Sequence, residues 1–264
     1  MKLRHRRTFI AVALVALASM AALASAAMAA KPAPPYEDFA GCPSEAEQPF
    51  VGECVKFNFL GGHIGFGNRE IPVTNPIILR GGAEQETGAF LANGEGGIVP
   101  TQQTVPGGLV GLTGYKWLDE ALGKSELLKL YATVELAGTP GGINDLEFKL
   151  PVKIHLENPF LGNSCYVGSN ANPITLNLFT QKEQGAFEAE AGRPQVLVTS
   201  SPGTLADSAY SVPAASGCQF NFGPIHTPID ELVNSRYALP SAAGKDSTVL
   251  DYSMQLTFPG VVYP

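Results

Sequence analysis

Alternation of apolar and polar residues is the dominant pattern along this chain, and it predicts β-strands. In the clearest stretch, residues 146–156, every second residue is apolar and the residues between them are mostly charged or polar. Such a period of two buries one face of a strand, whereas on a helix it would scatter the apolar side chains around the axis. Weaker forms of the pattern predict further strands at residues 55–59, 71–79, 127–136, 174–179, 195–198 and 249–258.

Glycine and proline interrupt these strands frequently, with 29 Gly and 21 Pro in 264 residues. We expect Gly61 and Gly62 to end the first strand, and Arg80-Gly81-Gly82 to begin a region rich in loops. Prolines lack the N–H that a β-ladder needs, so Pro72, Pro76 and Pro151 predict edge positions or bulges.

Only two short segments have a helical pattern. Residues 115–122 place apolar side chains on one face and are followed by Gly123, and residues 229–236 begin with Asp230 and Glu231, which complement a helix dipole. Many short strands with little helix between them predict an all-β fold. We expect an antiparallel β-sandwich, or a barrel-like variant of it, with two short helices and two disulfides.

The first thirty residues have the organisation of an export signal. A basic head from Lys2 to Arg7 precedes an apolar, alanine-rich run, and Ala27-Met28-Ala29 matches the pattern that signal peptidase cleaves. Arg6-Arg7 also fits a twin-arginine signal, so both general and twin-arginine export stay open. A retained membrane anchor is the alternative interpretation, but the apolar run is mostly alanine and lacks a charged stop-transfer flank.

This signal sets the expected organisation of the rest of the chain. We expect residues 1–30 to be removed, residues 31–41 to form a flexible leader, and residues 42–264 to form one β-rich secreted domain. The mature chain keeps all 24 acidic residues but only 13 of the 17 basic ones, a net charge of −11. A charge of that sign argues against nucleic acid and anionic membrane surfaces as partners.

All four cysteines lie in the mature region. In an exported protein an even number of cysteines usually forms disulfides, and four of them allow three pairings. Among these we favour Cys42–Cys54, which closes a short loop, together with Cys165–Cys218. No C-x-x-C pair is present and no histidine stands at a zinc-ligand spacing from a cysteine, so we expect no metal site.

Part of the chain resembles a known family. The segment LPVKIHLENPFLGNSCYVGSNANPITLNL, residues 150–178, is similar to the central segment of an uncharacterised family of secreted proteins from high-GC Gram-positive bacteria. Shorter similarities lie at residues 104–109, 133–138 and 247–253 and at the Cys42/Cys54 pair. The resemblance implies export and a shared architecture, and it implies no reaction and no catalytic residues.

Catalytic motifs are weak in this sequence. The mature histidines, His63, His155 and His226, have no H-x-H or H-x-x-x-H spacing, and we expect His155 to face solvent from the polar side of its strand. No G-x-S-x-G elbow is present. Paired acids of a glycosidase have no fixed spacing, and ordinary surface solvation explains the acidic residues here, Asp119, Glu120, Asp145, Glu147 and Glu157. We therefore assign no catalytic residue and no cofactor.

The loop at residues 158–173 is the best candidate for a binding surface. It is rich in amides, and an aromatic ring beside amides suits hydrogen bonding to glycans; tight-turn formation by Asn-Pro and Gly explains the same composition. The candidate residues are Asn158, Asn163, Tyr166, Asn170 and Asn172. The leading expectation is a non-catalytic extracellular or cell-envelope protein that binds wall glycan or another envelope protein. The alternative is a secreted hydrolase acting on envelope polysaccharide or ester bonds.

Overall fold

The structure, a computed structural model, describes residues 30–109, 128–142, 147–199, 203–222 and 225–264. The expected export signal and the helix expected at 115–122 therefore lie outside the described residues, apart from Ala30. Within the described ranges, none of the helices has both the length and the apolar character needed to cross a bilayer.

Antiparallel strands dominate the described residues, and the all-β prediction is confirmed. In the first half of the chain the strands are β1 (Val51–Phe66), β2 (Arg69–Pro72), β3 (Ile77–Glu84), β4 (Phe90–Leu91), β5 (Gly97–Val99), β6 (Gln102–Val105) and β7 (Leu130–Leu136). In the second half they are β8 (Glu147–Glu157), β9 (Tyr166–Val167), β10 (Ile174–Lys182), β11 (Phe187–Glu190), β12 (Arg193–Thr199), β13 (Gly203–Asp207), β14 (Ala215–Ser216), β15 (Gln219–Phe222), β16 (Ile225–Pro228) and β17 (Thr248–Thr257).

Among the described residues, helical structure is confined to short pieces. Helix α1 is Asp230–Tyr237, which confirms the second predicted helix to within one residue. Helix α2, Pro259–Val262, was not predicted, and a single 3-10 turn spans Glu37–Phe39.

Most of the strands form one large sheet in the order β14-β9-β8-β10-β13-β17-β1-β3-β4. A branch of this sheet leaves the main order at β8, which also pairs with β7, and β7 pairs with β6. The sheet folds over on itself into a sandwich-like layer pair, because Phe57 of β1 stacks on Phe148 of β8 at a ring-centroid distance of 5.1 Å although three strands separate β1 from β8 in the sheet. The apolar residues that alternate along β8 lie in this interior, where Val152, Ile154 and Leu156 are fully buried.

The expected strand break at Gly61 and Gly62 is wrong, because β1 continues to Phe66. A β-bulge between Phe59 and Gly61 shifts the register with β17 at this point. Gly62 then has a φ of +95°, and a Cβ there would lie 1.9 Å from the carbonyl oxygen of Val249. The glycine thus allows the two backbones to approach closely after a bulge, which is the second common role of glycine in a strand.

The prediction that a loop-rich region begins at Arg80 is also wrong, since Arg80, Gly81 and Gly82 belong to β3. A Cβ on Gly81 would lie 2.4 Å from the ring of Phe90 on the neighbouring strand β4, so glycine here makes room for an aromatic side chain. The single strand expected over 71–79 is two strands, β2 and β3, separated by residues 73–76.

Pro151 lies in an interior strand, with β10 on one side. Its carbonyl accepts a hydrogen bond from the N–H of Ala137, directly after β7 ends at Leu136. The N–H and carbonyl of a strand residue point to the same side, so the missing donor faces the end of β7 and not the ladder with β10.

Residues 31–41 differ from the expected flexible leader. Tyr36 and Phe39 are buried in a second apolar cluster with Cys42, Val51, Cys54 and Val262. The N–H of Ala33 also donates to the carbonyl of Val262 in α2. The aromatic residues give this proline-rich segment enough apolar area to pack against the C-terminal end of the chain.

Both predicted disulfides are present. Cys42 and Cys54 join the second cluster, and Cys165 and Cys218 lie in the main core with a Cα–Cα distance of 4.1 Å. The second bridge ties the loop after β8 to the start of β15.

Candidate functional site

Three neighbouring strands and one loop build a polar cleft on the outer face of the sheet. The register aligns Gln102 of β6 with Thr133 of β7, Thr133 with His155 of β8, and His155 with Tyr166 of β9. Side chains at aligned positions point to the same face of a sheet, so one polar row crosses these three strands and continues onto β9. The cleft along this row has a volume of about 470 Å³ and is lined by Gln102, Tyr131, His155, Glu157, Asn158, Pro159, Gly162 and Asn163.

Glu157 is a hydrogen-bond acceptor at the cleft that is held by two neighbouring side chains. Its Oε2 accepts hydrogen bonds from Gln102 Nε2 at 3.0 Å and from Thr133 Oγ1 at 2.7 Å. Its other oxygen, Oε1, lies 3.7 Å from His155 Nδ1. Two donors from neighbouring strands therefore fix the carboxylate and leave Oε1 with acceptor capacity.

His155 lies inside a cluster of charged and aromatic groups, so the expected solvent-facing position is wrong. Its side chain is only 17% exposed, and its ring stacks on Tyr166 at a centroid distance of 4.4 Å. Nδ1 also lies 3.8 Å from Glu135 Oε1, and Nε2 is buried without a hydrogen-bond partner among the described residues.

Tyr166 contacts three charged or aromatic neighbours within the same cluster. Besides the stacked imidazole, the ammonium of Lys153 lies 5.0 Å from the centre of its ring. Burial, and after it the negative charge of Glu135, raises the pKa of the Tyr166 phenol, so the hydroxyl stays protonated and donates to Glu135 Oε1 at 3.4 Å. Tyr131 is the aromatic residue that lines the cleft itself.

The five loop residues suggested by the sequence lie in three different places. Asn158 and Asn163 line the cleft, but the side chain of Asn158 already donates to the carbonyl of Lys129 and accepts from the N–H of Phe160. Tyr166 lies in the cluster beside His155. Asn170 and Asn172 are exposed in the turn between β9 and β10, where the N–H of Asn172 donates to Ser169 Oγ.

Gln102, Tyr131, Thr133 and Glu135 were missed as site residues by sequence reasoning. The alternation along residues 127–136 does place the last three on the polar face of β7. What the pattern lacks is the register with β8, which decides that Thr133 pairs with His155 and Tyr131 with Glu157.

Two arrangements relevant to catalysis are present. Glu135 and Glu157 each place an oxygen within 4 Å of His155 Nδ1, but Glu135 pairs with Lys153 at 3.4 Å and does not line the cleft. Elsewhere, His63 Nε2 lies 3.4 Å from Ser247 Oγ in an exposed pair. This distance is longer than the range of about 2.6–3.2 Å for a serine and its general base.

No group of three or more His, Cys, Asp or Glu residues in the described part of the chain is arranged to hold a metal ion. The chain matches no protein-family model, and no curated protein is similar to it in sequence. A function for the cleft must therefore be argued from its geometry.

Proposed function

We propose that this protein is an exported, non-catalytic binding protein of the cell envelope, and that its cleft binds the hydroxyl groups of wall glycan. The observation that carries the proposal is the fixed Glu157 carboxylate, whose Oε2 is held by Gln102 and Thr133 while Oε1 faces His155 beside the cleft. A fixed carboxylate is a strong acceptor for sugar hydroxyls because a hydrogen bond to a charged group is stronger than one between neutral groups.

The rest of the cleft supports the same ligand class. Tyr131 provides an apolar ring surface, and the exposed amide of Asn163 provides both a donor and an acceptor. Ligand sites of this kind combine an apolar wall with a few polar groups in fixed positions.

Export is the second part of the proposal. The basic head, apolar run and A-x-A site at residues 1–30, and the resemblance to a family of secreted proteins from high-GC Gram-positive bacteria, support it. The two disulfides agree with it, since such bonds persist in oxidising compartments.

Glu157→Gln is expected to weaken glycan binding by about tenfold or more, because it replaces a charged acceptor with a neutral amide of the same shape. Titration of the mature protein with soluble wall-glycan fragments measures the dissociation constant. Glu45→Gln is the matched control, since Glu45 is exposed outside the cleft. Unchanged affinity in Glu157→Gln would show that the glycan does not bind in this cleft. A wild-type protein that binds neither the soluble fragments nor insoluble wall material would refute the proposed function.

The second candidate function is hydrolysis of envelope polysaccharide or ester bonds, and the contact between Ser247 and His63 favours it. A serine activated by a histidine reacts with fluorophosphonates. If the protein is such a hydrolase, the probe is expected to label the wild type and to label neither Ser247→Ala nor His63→Ala. Absence of labelling in the wild type excludes this serine mechanism, and Ser208→Ala, an exposed serine elsewhere, controls for non-specific labelling.

A further inference from the structure

A second cavity lies on the opposite end of β1 from the disulfide Cys42–Cys54. The β1–β2 hairpin, Pro106 and the segment before β17 line this open cavity, and its volume is about 360 Å³. This volume is at the lower end of the range of about 300–1,000 Å³ for small-molecule sites. The residues that line it are Gly65, Gly67, Asn68, Arg69, Glu70, Pro106, Lys245, Asp246 and Ser247.

Two of the residues that line this cavity have a buried side-chain atom without a hydrogen-bond partner in the described part of the chain. Among the described residues four buried side-chain atoms have no hydrogen-bond partner, and two of them, Arg69 Nε and Asp246 Oδ2, belong to residues that line the cavity. A buried donor or acceptor without a partner destabilises the fold, and most such groups in proteins are satisfied by protein, water or ligand. Asp246 is only 5% exposed, so bulk water does not satisfy it.

The side chain of Arg69 and the segment that carries Asp246 are positioned by their surroundings. The guanidinium of Arg69 lies over the ring of Tyr237 at 5.7 Å, and a Cβ added to Gly107 would lie 3.1 Å from its Nη1. Burial raises the pKa of Tyr237 to about 12, so this ring stays neutral beside the cation. Next to Asp246, the carbonyl of Ser247 accepts from the N–H of Gly65, which fastens the segment to β1.

The charges around the cavity balance. Arg69 and Lys245 are cationic, and Glu70 and Asp246 are anionic. A simple anion would meet the two carboxylates, and a simple cation would meet the two basic groups. A ligand that carries one charge of each sign matches the guanidinium of Arg69 and the carboxylate of Asp246 together.

We propose that this cavity binds a small zwitterion of amino-acid size, whose carboxylate accepts from Arg69 and whose ammonium donates to Asp246. The site is separate from the glycan cleft: Arg69 and Asp246 do not line that cleft, and none of its lining residues lines this cavity. The inference therefore does not rest on the proposed glycan function.

Calorimetric titration of the mature protein at pH 7 with three matched probes tests the proposal. L-alanine carries both charges, L-alaninamide keeps only the ammonium, and N-acetyl-L-alanine keeps only the carboxylate. We expect saturable binding of L-alanine and affinities at least about tenfold lower for each single-charge analogue, because each leaves one buried group of the protein unpartnered. No saturable binding of L-alanine, or equal affinity for all three probes, would overturn the proposal.

Two substitutions assign the roles of the side chains. Asp246→Asn is expected to weaken L-alanine binding by about tenfold or more and to leave the weak binding of N-acetyl-L-alanine unchanged. Arg69→Gln is expected to weaken L-alanine binding by the same amount and to leave the weak binding of L-alaninamide unchanged. Glu45→Gln, at an exposed position that lines neither cavity, is the control and should bind L-alanine like the wild type. If either cavity variant fails to fold, the shift in melting temperature of the wild type with each of the three probes gives the same discrimination. Variants that fold and bind L-alanine normally refute the assignment.

Discussion

Replacing Cys165 and Cys218 together with alanine is expected to lower the free energy of unfolding by about 4 kcal/mol. This bridge joins residues 53 positions apart, and in the loop-entropy treatment the stabilisation grows with the length of chain that the bridge closes. Urea unfolding of the double variant and the wild type, compared at equal slope of the transition, measures the difference.

The other bridge provides the matched control. Cys42 and Cys54 are only 12 positions apart, so the variant with both replaced by alanine is expected to lose about 3 kcal/mol. A larger loss from the short bridge than from the long one would show that native packing around the cysteines, and not the unfolded chain, determines the effect. The long bridge also holds the loop that carries Asn163, so its removal should weaken glycan binding as well.

Phe57→Ala is expected to destabilise the protein by about 3–5 kcal/mol, because it opens a cavity where the two layers of the folded sheet meet. Phe57 is 5% exposed, and its ring lies 5.1 Å from that of Phe148 and 6.2 Å from that of Tyr252. Thermal and urea unfolding measure the loss.

Two further variants identify the cause of this effect. Phe57→Leu keeps most of the apolar volume and should cost clearly less than Phe57→Ala. Phe50→Ala removes the same ring at a position that is 71% exposed, and a change within about 0.5 kcal/mol is expected there. If Phe57→Ala behaves like Phe50→Ala, the contact between β1 and β8 does not hold the layers together.

The strands with strict alternation could be located from the sequence, and the reason is local. In β8 one face is apolar along its whole length, so any fold that buries this face must place the segment in a sheet. In β17 alternation predicts only part of the burial pattern. Leu250 and Tyr252 are buried as the pattern indicates, but Gln255 is also buried, where it accepts from Asn58 and donates to Glu190. Both faces are covered at this end of the strand, and alternation cannot predict that.

Glycine and proline were the least reliable signals. Gly62 and Gly81 were interpreted as strand ends, although both lie within strands. A glycine that ends a strand and one that admits a neighbouring backbone or ring are identical in sequence, because the difference lies in the contact made by another part of the chain.

The sequence by itself determined the all-β class and the helix at Asp230–Tyr237, because alternation and helix-start residues act over short distances. For the four cysteines it left three pairings open, and the structure contains the favoured one. Only the tertiary structure decided which polar residues meet. The register of β6 to β9 brings Gln102, Thr133, His155 and Tyr166 into one row, and the approach of residues 245–247 to the β1–β2 hairpin places Asp246 and Arg69 in one cavity. Those encounters join residues far apart in the chain, and they depend on the packing of the whole sheet.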